Sequence, residues 1–146
     1  MKRRLAAAVA RITITVGVLA CVMGSGCASA PGGEPFRPEV VSSTKAVIYV
    51  YSPVRGGLAR RAVRVFMNQQ PIGTLSPGQY LARTVDAGEY LVRVESESSM
   101  VKAVRVLAGD AAYLAVRVPS AGKPVIEEPE SAVARDQIAR TTRVAE

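Results

Sequence analysis

The residues whose side chains are most able to react are two cysteines, Cys21 and Cys27, the only cysteines among the 146 residues. A thiol can act as a nucleophile, bind a metal, pair in a disulfide or accept a lipid. Both lie near the N-terminus, so the rest of the chain has neither a disulfide nor a thiolate of its own. Histidine is absent, which removes the commonest general base and neutral metal ligand. We therefore expect a non-enzymatic protein without a metal or another cofactor.

The sequence around the cysteines predicts an export signal over residues 1–26. Residues 1–11 are basic, residues 12–23 form an uncharged apolar run, and small residues follow. This is the three-part layout of a secretory signal peptide, and the apolar run is too short for a transmembrane helix. The residues Gly24, Ser25, Gly26 and Cys27 resemble the bacterial lipobox. That resemblance implies that Cys27 is modified with fatty acid and becomes the first residue of the mature chain.

Two other processing sites remain open. The lipobox prefers Leu, Val or Ile where this chain has Gly24, and the residues before Cys21 fit that preference better. Lipidation at Cys21 would, however, truncate the apolar run. Ordinary cleavage after Ala30 is the third possibility, but Pro31 follows directly and disfavours it. Cys27 is the preferred lipidation site.

The residues after Cys27 predict a location and a tether. Lipoproteins of this type without Asp after the cysteine usually reach the outer membrane of double-membraned bacteria, and this chain has Ala28. We therefore expect a lipid-anchored envelope protein in the outer membrane, facing the periplasm. Residues 27–43 are rich in Pro, Gly, Ala and Ser, which predicts a flexible tether. Phe36 could dock on the following domain, but nothing in the sequence requires it.

The charge of the mature chain argues against nucleic acid as a partner. The formal net charge is +7, but four of the basic residues lie in the leader. Without them, 15 basic and 12 acidic side chains leave a net charge of +3. A domain that binds nucleic acid usually carries a much stronger basic field.

Four arginines form the main candidate site in the domain. Each falls within a predicted strand, on the side opposite the apolar residues: Arg64, Arg93, Arg105 and Arg117. If their strands share one sheet, they would form a basic face able to bind lipid headgroups, anionic glycans or an acidic partner. The competing interpretation is that these are ordinary solvated arginines, some of them paired with Glu95 or Glu97.

Three further groups have weaker patterns. The loop over residues 52–61 contains three arginines and two glycines but lacks phosphate-loop spacing, so we interpret it as a surface loop. Three glutamates lie in a proline-flanked stretch, which favours solvated side chains over a carboxylate site: Glu127, Glu128 and Glu130. Three tyrosines are expected to pack in the core or at its rim: Tyr80, Tyr90 and Tyr113.

The elements that must position these residues are short strands. Residues 44–51 are apolar at both parities, which predicts a central strand covered on two faces. Six further alternating segments, separated by turn residues, follow up to residue 118. The pattern predicts an all-β fold over residues 44–128, a small antiparallel β-sandwich of about seven strands with an immunoglobulin-like or transthyretin-like arrangement. In the tail, residues 129–146, Ser131 can cap a short helix that runs to about Arg143.

Aromatic and glycine residues recur through the domain at positions that suggest a family. An aromatic strand precedes a proline, and glycines at turns precede tyrosines at strand starts: Tyr49, Tyr51, Pro53, Ile72, Gly73, Leu75, Gly78, Tyr80, Gly88, Tyr90, Gly109 and Tyr113. This spacing resembles a family of bacterial lipoproteins that share a domain of unknown function, and more distantly the PEGA domains of surface proteins. The resemblance implies a β-sandwich and no particular activity.

Two functions follow as hypotheses. The first is a membrane-anchored envelope lipoprotein whose non-catalytic domain has a structural or protein-interaction role, with an envelope protein as a possible partner. The second is a lipoprotein that captures anionic lipid or glycan through the basic face. Both place the membrane anchor at Cys27.

Overall fold

The computed structural model describes residues 33–56, 61–119 and 122–145. The predicted signal peptide and both cysteines lie outside the described residues, as does the first part of the predicted tether. The described chain forms nine strands and one helix: β1 (Lys45–Tyr51), β2 (Val63–Met67), β3 (Gln70–Leu75), β4 (Gln79–Asp86), β5 (Gly88–Glu95), β6 (Ser99–Val106), β7 (Ala111–Arg117), β8 (Val125–Glu127), α1 (Ser131–Ile138) and β9 (Thr142–Arg143).

The strands form two sheets packed as a β-sandwich, which confirms the predicted fold class. The first sheet has the order β8-β7-β1-β4-β9, and the second has the order β3-β2-β5-β6. The central position predicted for β1 is confirmed. Five of the seven strand pairs in the described chain are antiparallel, whereas β1 pairs with β7 in parallel and β4 pairs with β9 in parallel. No hairpin connects either pair, so no tight turn forces the antiparallel direction.

The main core lies between the two sheets and follows the alternation of the strands. Val63 and Val65 of β2 face Ile48 and Val50 of β1 across this core, and all four side chains are buried. The alternate residues of the second sheet point away from this core. That sheet therefore has one apolar face and one face of mixed polarity.

A second apolar layer covers the outer face of the first sheet. Strand β1 contributes Val47, Tyr49 and Tyr51 to it, and α1 contributes Ala134 and Ile138. Residues 33–43, which we call the N-terminal strap, pack over the same face through Phe36 and Val41. The expectation of a flexible tether up to residue 43 is therefore wrong for residues 33–43. They are held because aromatic side chains on the sheet offer an apolar surface to Phe36.

The C-terminal residues also belong to the folded domain, although the predicted domain ends at residue 128. Helix α1 has Glu130 at its N-cap, so Ser131 is its first residue rather than the predicted cap, and the helix ends at Ile138, well before Arg143. The chain then turns at the buried Thr141, whose hydroxyl donates to the carbonyl of Ile138 at 2.7 Å. Residues 142–144 run beside β4, where the amide of Val144 donates to the carbonyl of Tyr80 at 3.0 Å.

Candidate functional site

The four candidate arginines do not share one face. Arg64, Arg93 and Arg105 lie on the outer face of the second sheet, whereas Arg117 lies on β7 of the first sheet. The predicted four-arginine basic face is therefore wrong. The alternation of residues correctly predicts to which side of its strand each arginine points. It carries no information about which sheet that strand joins.

Acidic residues offset the three arginines that do share a face. The guanidinium of Arg64 lies 3.2 Å from the carboxylate of Glu95, and Arg93 also pairs with Glu95. Arg105 stands directly opposite Glu89 in the register of β5 and β6. The guanidinium of Arg93 also lies 4.1 Å from the ring centre of Phe66. Two glutamates thus offset most of the charge of the three arginines, in agreement with the interpretation that some of them pair with Glu95.

Arg117 ties two segments of the first sheet together. Its Nε lies 3.0 Å from Oε2 of Glu127 on β8, and its Nη1 donates to the carbonyl of Gly56 at 3.0 Å. These bonds connect the loop over residues 52–61 to the end of β7. Residues 57–60 of that loop, with Arg60, lie outside the described residues, and Arg61 pairs with Glu97.

The three glutamates of the tail occupy separate environments. Glu127 pairs with Arg117, Glu128 lies 3.8 Å from Lys102, and Glu130 precedes the first turn of α1. They share no pocket, as expected. Within residues 33–56, 61–119 and 122–145, no group of three or more acidic, cysteine or histidine side chains could hold a metal ion.

The most elaborate local structure is the tyrosine layer, which we define as Tyr49, Tyr51, Tyr80 and Tyr113 on the outer face of the first sheet. The rings of Tyr49 and Tyr113 stack with their centres 5.1 Å apart. Phe36 of the strap meets Tyr49 and Tyr80 edge-on, with ring centres 5.4 and 5.3 Å apart. The layer therefore joins three strands to the strap.

Two phenol groups of this layer hold the segments that cover it. The hydroxyl of Tyr51 donates to Oε1 of Gln137 on α1 at 2.8 Å, and burial raises the pKa of Tyr51 to about 12. The hydroxyl of Tyr49 accepts the backbone N–H of Glu39 at 2.7 Å. Burial raises the pKa of Tyr49 as well, while the bond from Glu39 acts in the opposite direction.

A shallow apolar groove of about 420 Å³ lies between the strap and α1. Tyr49, Tyr113 and Val47 form its floor, and Glu39 and Arg135 stand at its rim. The carboxylate of Glu39 is already bonded, at 2.9 Å to Arg143 and at 2.9 Å to the hydroxyl of Thr84. These contacts of Glu39 hold the strap against β4 and β9.

Only part of this layer is predictable from the sequence pattern. Tyr80 and Tyr113 were predicted as packing residues, and both are buried. Tyr90, grouped with them, instead packs partly buried against the main core, and its hydroxyl donates to the carbonyl of Asp86 at 2.9 Å. The roles of Glu39, Gln137 and Arg143 were missed, because each lies in a stretch without strand periodicity.

The domain fold can now be compared with known proteins. A family model described as "Protein of unknown function (DUF2846)" matches residues 42–129. The chain belongs to this family. The matched region runs from the end of the strap through β8, so it contains both sheets except β9. Membership agrees with the resemblance to a domain of unknown function, while the distant PEGA resemblance stays a prediction. No curated protein matches the sequence.

The residues of the predicted anchor cannot be placed in this geometry. Cys27, and Cys21 as the alternative, lie before the first described residue. In the part of the chain that the structure describes, no helix has the length and apolar character needed to cross a membrane.

Proposed function

We propose that the protein is a bacterial envelope lipoprotein, anchored in the membrane through Cys27, whose β-sandwich has a non-catalytic structural or protein-interaction role. The observation that carries this proposal is the placement of the cysteines. Both lie at the end of an export-type leader, and residues 28–146 contain none. The family domain begins at residue 42, shortly after that leader.

The anchor can be tested with two matched variants. In cells fed labelled fatty acid, Cys27→Ala should lose the label and leave the membrane fraction, whereas Cys21→Ala should behave like the wild type. Two or more acyl chains hold a protein on a bilayer firmly, so the change in fractionation should be close to complete. Label retained in Cys27→Ala but lost in Cys21→Ala would move the anchor to Cys21. A wild-type protein without label would contradict the lipoprotein assignment.

The proposed location is the outer membrane, facing the periplasm. It is supported by the resemblance to lipoproteins that lack Asp after the modified cysteine, since Ala28 holds that position. Ala28→Asp should therefore shift the protein from the outer to the inner membrane on a density gradient, with acylation unchanged. The same distribution for both proteins would contradict this location.

The absence of enzyme activity is proposed on chemical grounds. The chain has no histidine, and two of the three candidate glutamates, Glu127 and Glu128, are engaged in separate ion pairs. Capture of anionic lipid or glycan by a single face of four arginines has no support, because those residues divide between the two sheets.

The protein-interaction role is supported by the outer face of the second sheet. Leu91 and Val101 are each 48% exposed there, on neighbouring strands, and both lie beside Arg93. Exposed apolar side chains that cluster on a sheet face are typical of contact surfaces. The double variant Leu91→Ser and Val101→Ser should lose crosslinks to an envelope protein in intact cells, while its melting temperature stays close to that of the wild type. Unchanged crosslinks would contradict a role for this face.

A further inference from the structure

The start of the N-terminal strap is fixed to the edge of the first sheet. The amide of Arg143 donates to the carbonyl of Glu34 at 2.7 Å, and the amide of Phe36 donates to the carbonyl of Thr141 at 3.2 Å. Pro35 pairs with Thr142 between these bonds. The strap therefore extends the first sheet by one short segment beyond β9.

The chain lies against this edge from Gly33 onwards. A side chain at Gly33 would place its Cβ 2.2 Å from the carbonyl oxygen of Arg143, so the two backbones are in direct contact. Further along the strap, Phe36 packs on the tyrosine layer and Glu39 pairs with Arg143 at 2.9 Å. Any free chain between the anchor and the domain consequently ends at Gly33 rather than at residue 43.

This position sets a short reach between Cys27 and the domain. Six residue steps separate Cys27 from Gly33, and a chain of that length spans at most about 20 Å. A flexible chain of the same length averages about 13 Å. If the tether ran freely to residue 43, its maximum reach would be about 55 Å. Docking of the strap thus removes more than half of the possible reach.

The domain is wider than this reach. From the strap to β8 the first sheet contains five strand spacings of about 4.8 Å, which is about 24 Å. Strand β6 of the second sheet packs on the β8 side, whereas β3 packs on the β4 side. The turn after β6 also lies at the opposite end of β1, since Gly109 donates to the carbonyl of Lys45 at 2.7 Å. Gly33 and the turn after β6 therefore mark opposite corners of the sandwich.

On the basis of the lipid anchor proposed above, we propose that docking of the N-terminal strap leaves only a short leash between Cys27 and Gly33, which holds the corner at Gly33 and β9 towards the bilayer surface. The opposite corner, with β6 and the turn after it, then points away from the membrane. The corner at Gly33 carries exposed residues of both charges, Glu34 and Arg37, and so suits contact with phospholipid headgroups rather than insertion into the bilayer. Strand β6, with Val101, is left accessible to a protein partner.

The orientation can be measured with single fluorescent labels. The mature chain has no cysteine other than Cys27, whose thiol would be blocked by the lipid, so Ala145→Cys and Leu107→Cys each create one labelling site. Both positions are exposed, one beside β9 and one after β6. The acylated full-length variants are placed in phosphatidylethanolamine and phosphatidylglycerol vesicles that contain a headgroup quencher. Quenching should be several-fold stronger at position 145. Equal quenching, or stronger quenching at position 107, would overturn the proposal.

A lengthened leash provides the control. An insertion of about 15 Gly and Ser residues after Ala30 leaves the strap intact but raises the maximum span between Cys27 and Gly33 from about 20 Å to about 70 Å. The quenching difference between the two positions should then largely disappear. A difference that persists would show that orientation comes from surface affinity, which would overturn the leash. Flotation and fatty acid labelling of each variant separate this result from the anchor. Loss of acylation at Cys27 overturns the proposed function, whereas acylated protein with equal quenching overturns the leash alone.

Discussion

At the scale of single residues, the covering of the first sheet depends on a few polar atoms of buried tyrosines. Tyr51 has a fully buried ring, and its hydroxyl reaches Gln137 across the gap to α1. The hydroxyl of Tyr49 holds the strap in the same way, because it accepts a hydrogen bond from the amide of Glu39. A phenol suits this position because its ring fills an apolar layer while its hydroxyl satisfies a polar group of the covering segment.

The Tyr51 hydroxyl makes stability depend on pH in the alkaline range. Burial raises the pKa of Tyr51 from 10.0 to about 12, so the folded state favours the protonated phenol. Its contribution is fully present below pH 10 and is lost as pH rises from 10 to 12. Tyr51→Phe should cost about 1 kcal/mol of unfolding free energy at neutral pH. Urea titrations should also show a smaller alkaline loss of stability for the variant than for the wild type. Identical pH slopes for the two proteins would contradict this assignment.

Gly73 is the residue at which backbone conformation constrains the second sheet most. It lies beside the irregularity between Val65 and Phe66, with φ at +149°, and a Cβ there would lie 2.7 Å from Cδ2 of the buried Leu81. Gly73→Ala should therefore destabilise the protein by about 2 kcal/mol through combined strain and crowding. Gly109→Ala is the control, since its φ is +85° and no atom lies within 4 Å of the added Cβ. A melting temperature lowered more by Gly109→Ala would contradict the role of crowding.

At the scale of elements, two segments without a strong pattern complete the first sheet. The strap and β9 bond to each other and to β4, and α1 packs on the tyrosine layer. None of these segments has enough alternating residues to be stable alone. They are held by the surface that the strands provide.

Phe36 is the residue that we expect to hold the strap. Its two edge-on aromatic pairs should contribute about 1 kcal/mol each, so Phe36→Ala should cost about 2 kcal/mol of unfolding free energy. Proteolysis before residue 44 should become faster in the same variant. Val40→Ala is the matched control in this segment, because Val40 is fully exposed. Equal proteolysis rates for the two variants would show that Phe36 does not hold the strap.

At the scale of the whole molecule, the folded unit extends beyond the domain expected from the sequence. It includes the strap before residue 44 and the tail after residue 128, and each covers part of the tyrosine layer. The layer would otherwise present a large aromatic surface to water. The sandwich is therefore a three-layer structure, with the strap and α1 as the third layer.

Removal of residues 129–146 tests this larger unit. The deletion exposes the tyrosine layer and removes Ala134 and Ile138, both fully buried. Loss of Ile138 alone should cost about 3 kcal/mol, so we expect a much lower melting temperature and binding of an apolar dye. If the shortened protein unfolded at the same temperature as the full chain and bound no dye, the folded domain would end at residue 128, as the sequence predicts.

The local sequence pattern is sufficient to locate most of the strands and the side of the sheet to which each residue points. Alternation and turn residues located seven of the nine strands, and the apolar residues of β1 on both parities predicted its central position. These features are local, because a strand buries the residues that point to one side whatever its neighbours are. The pattern that predicts the leader is local in the same sense.

The grouping of strands into sheets and the covering of the tyrosine layer depend on contacts that no local pattern predicts. Arg117 was separated from Arg64, Arg93 and Arg105 by sheet pairing, and pairing depends on residues far apart in the chain. The strap, α1 and β9 are positioned by bonds such as Tyr51 to Gln137, which join residues 86 positions apart. No local pattern encodes contacts of this kind, because their stability comes from a surface that exists only after the sheets have formed.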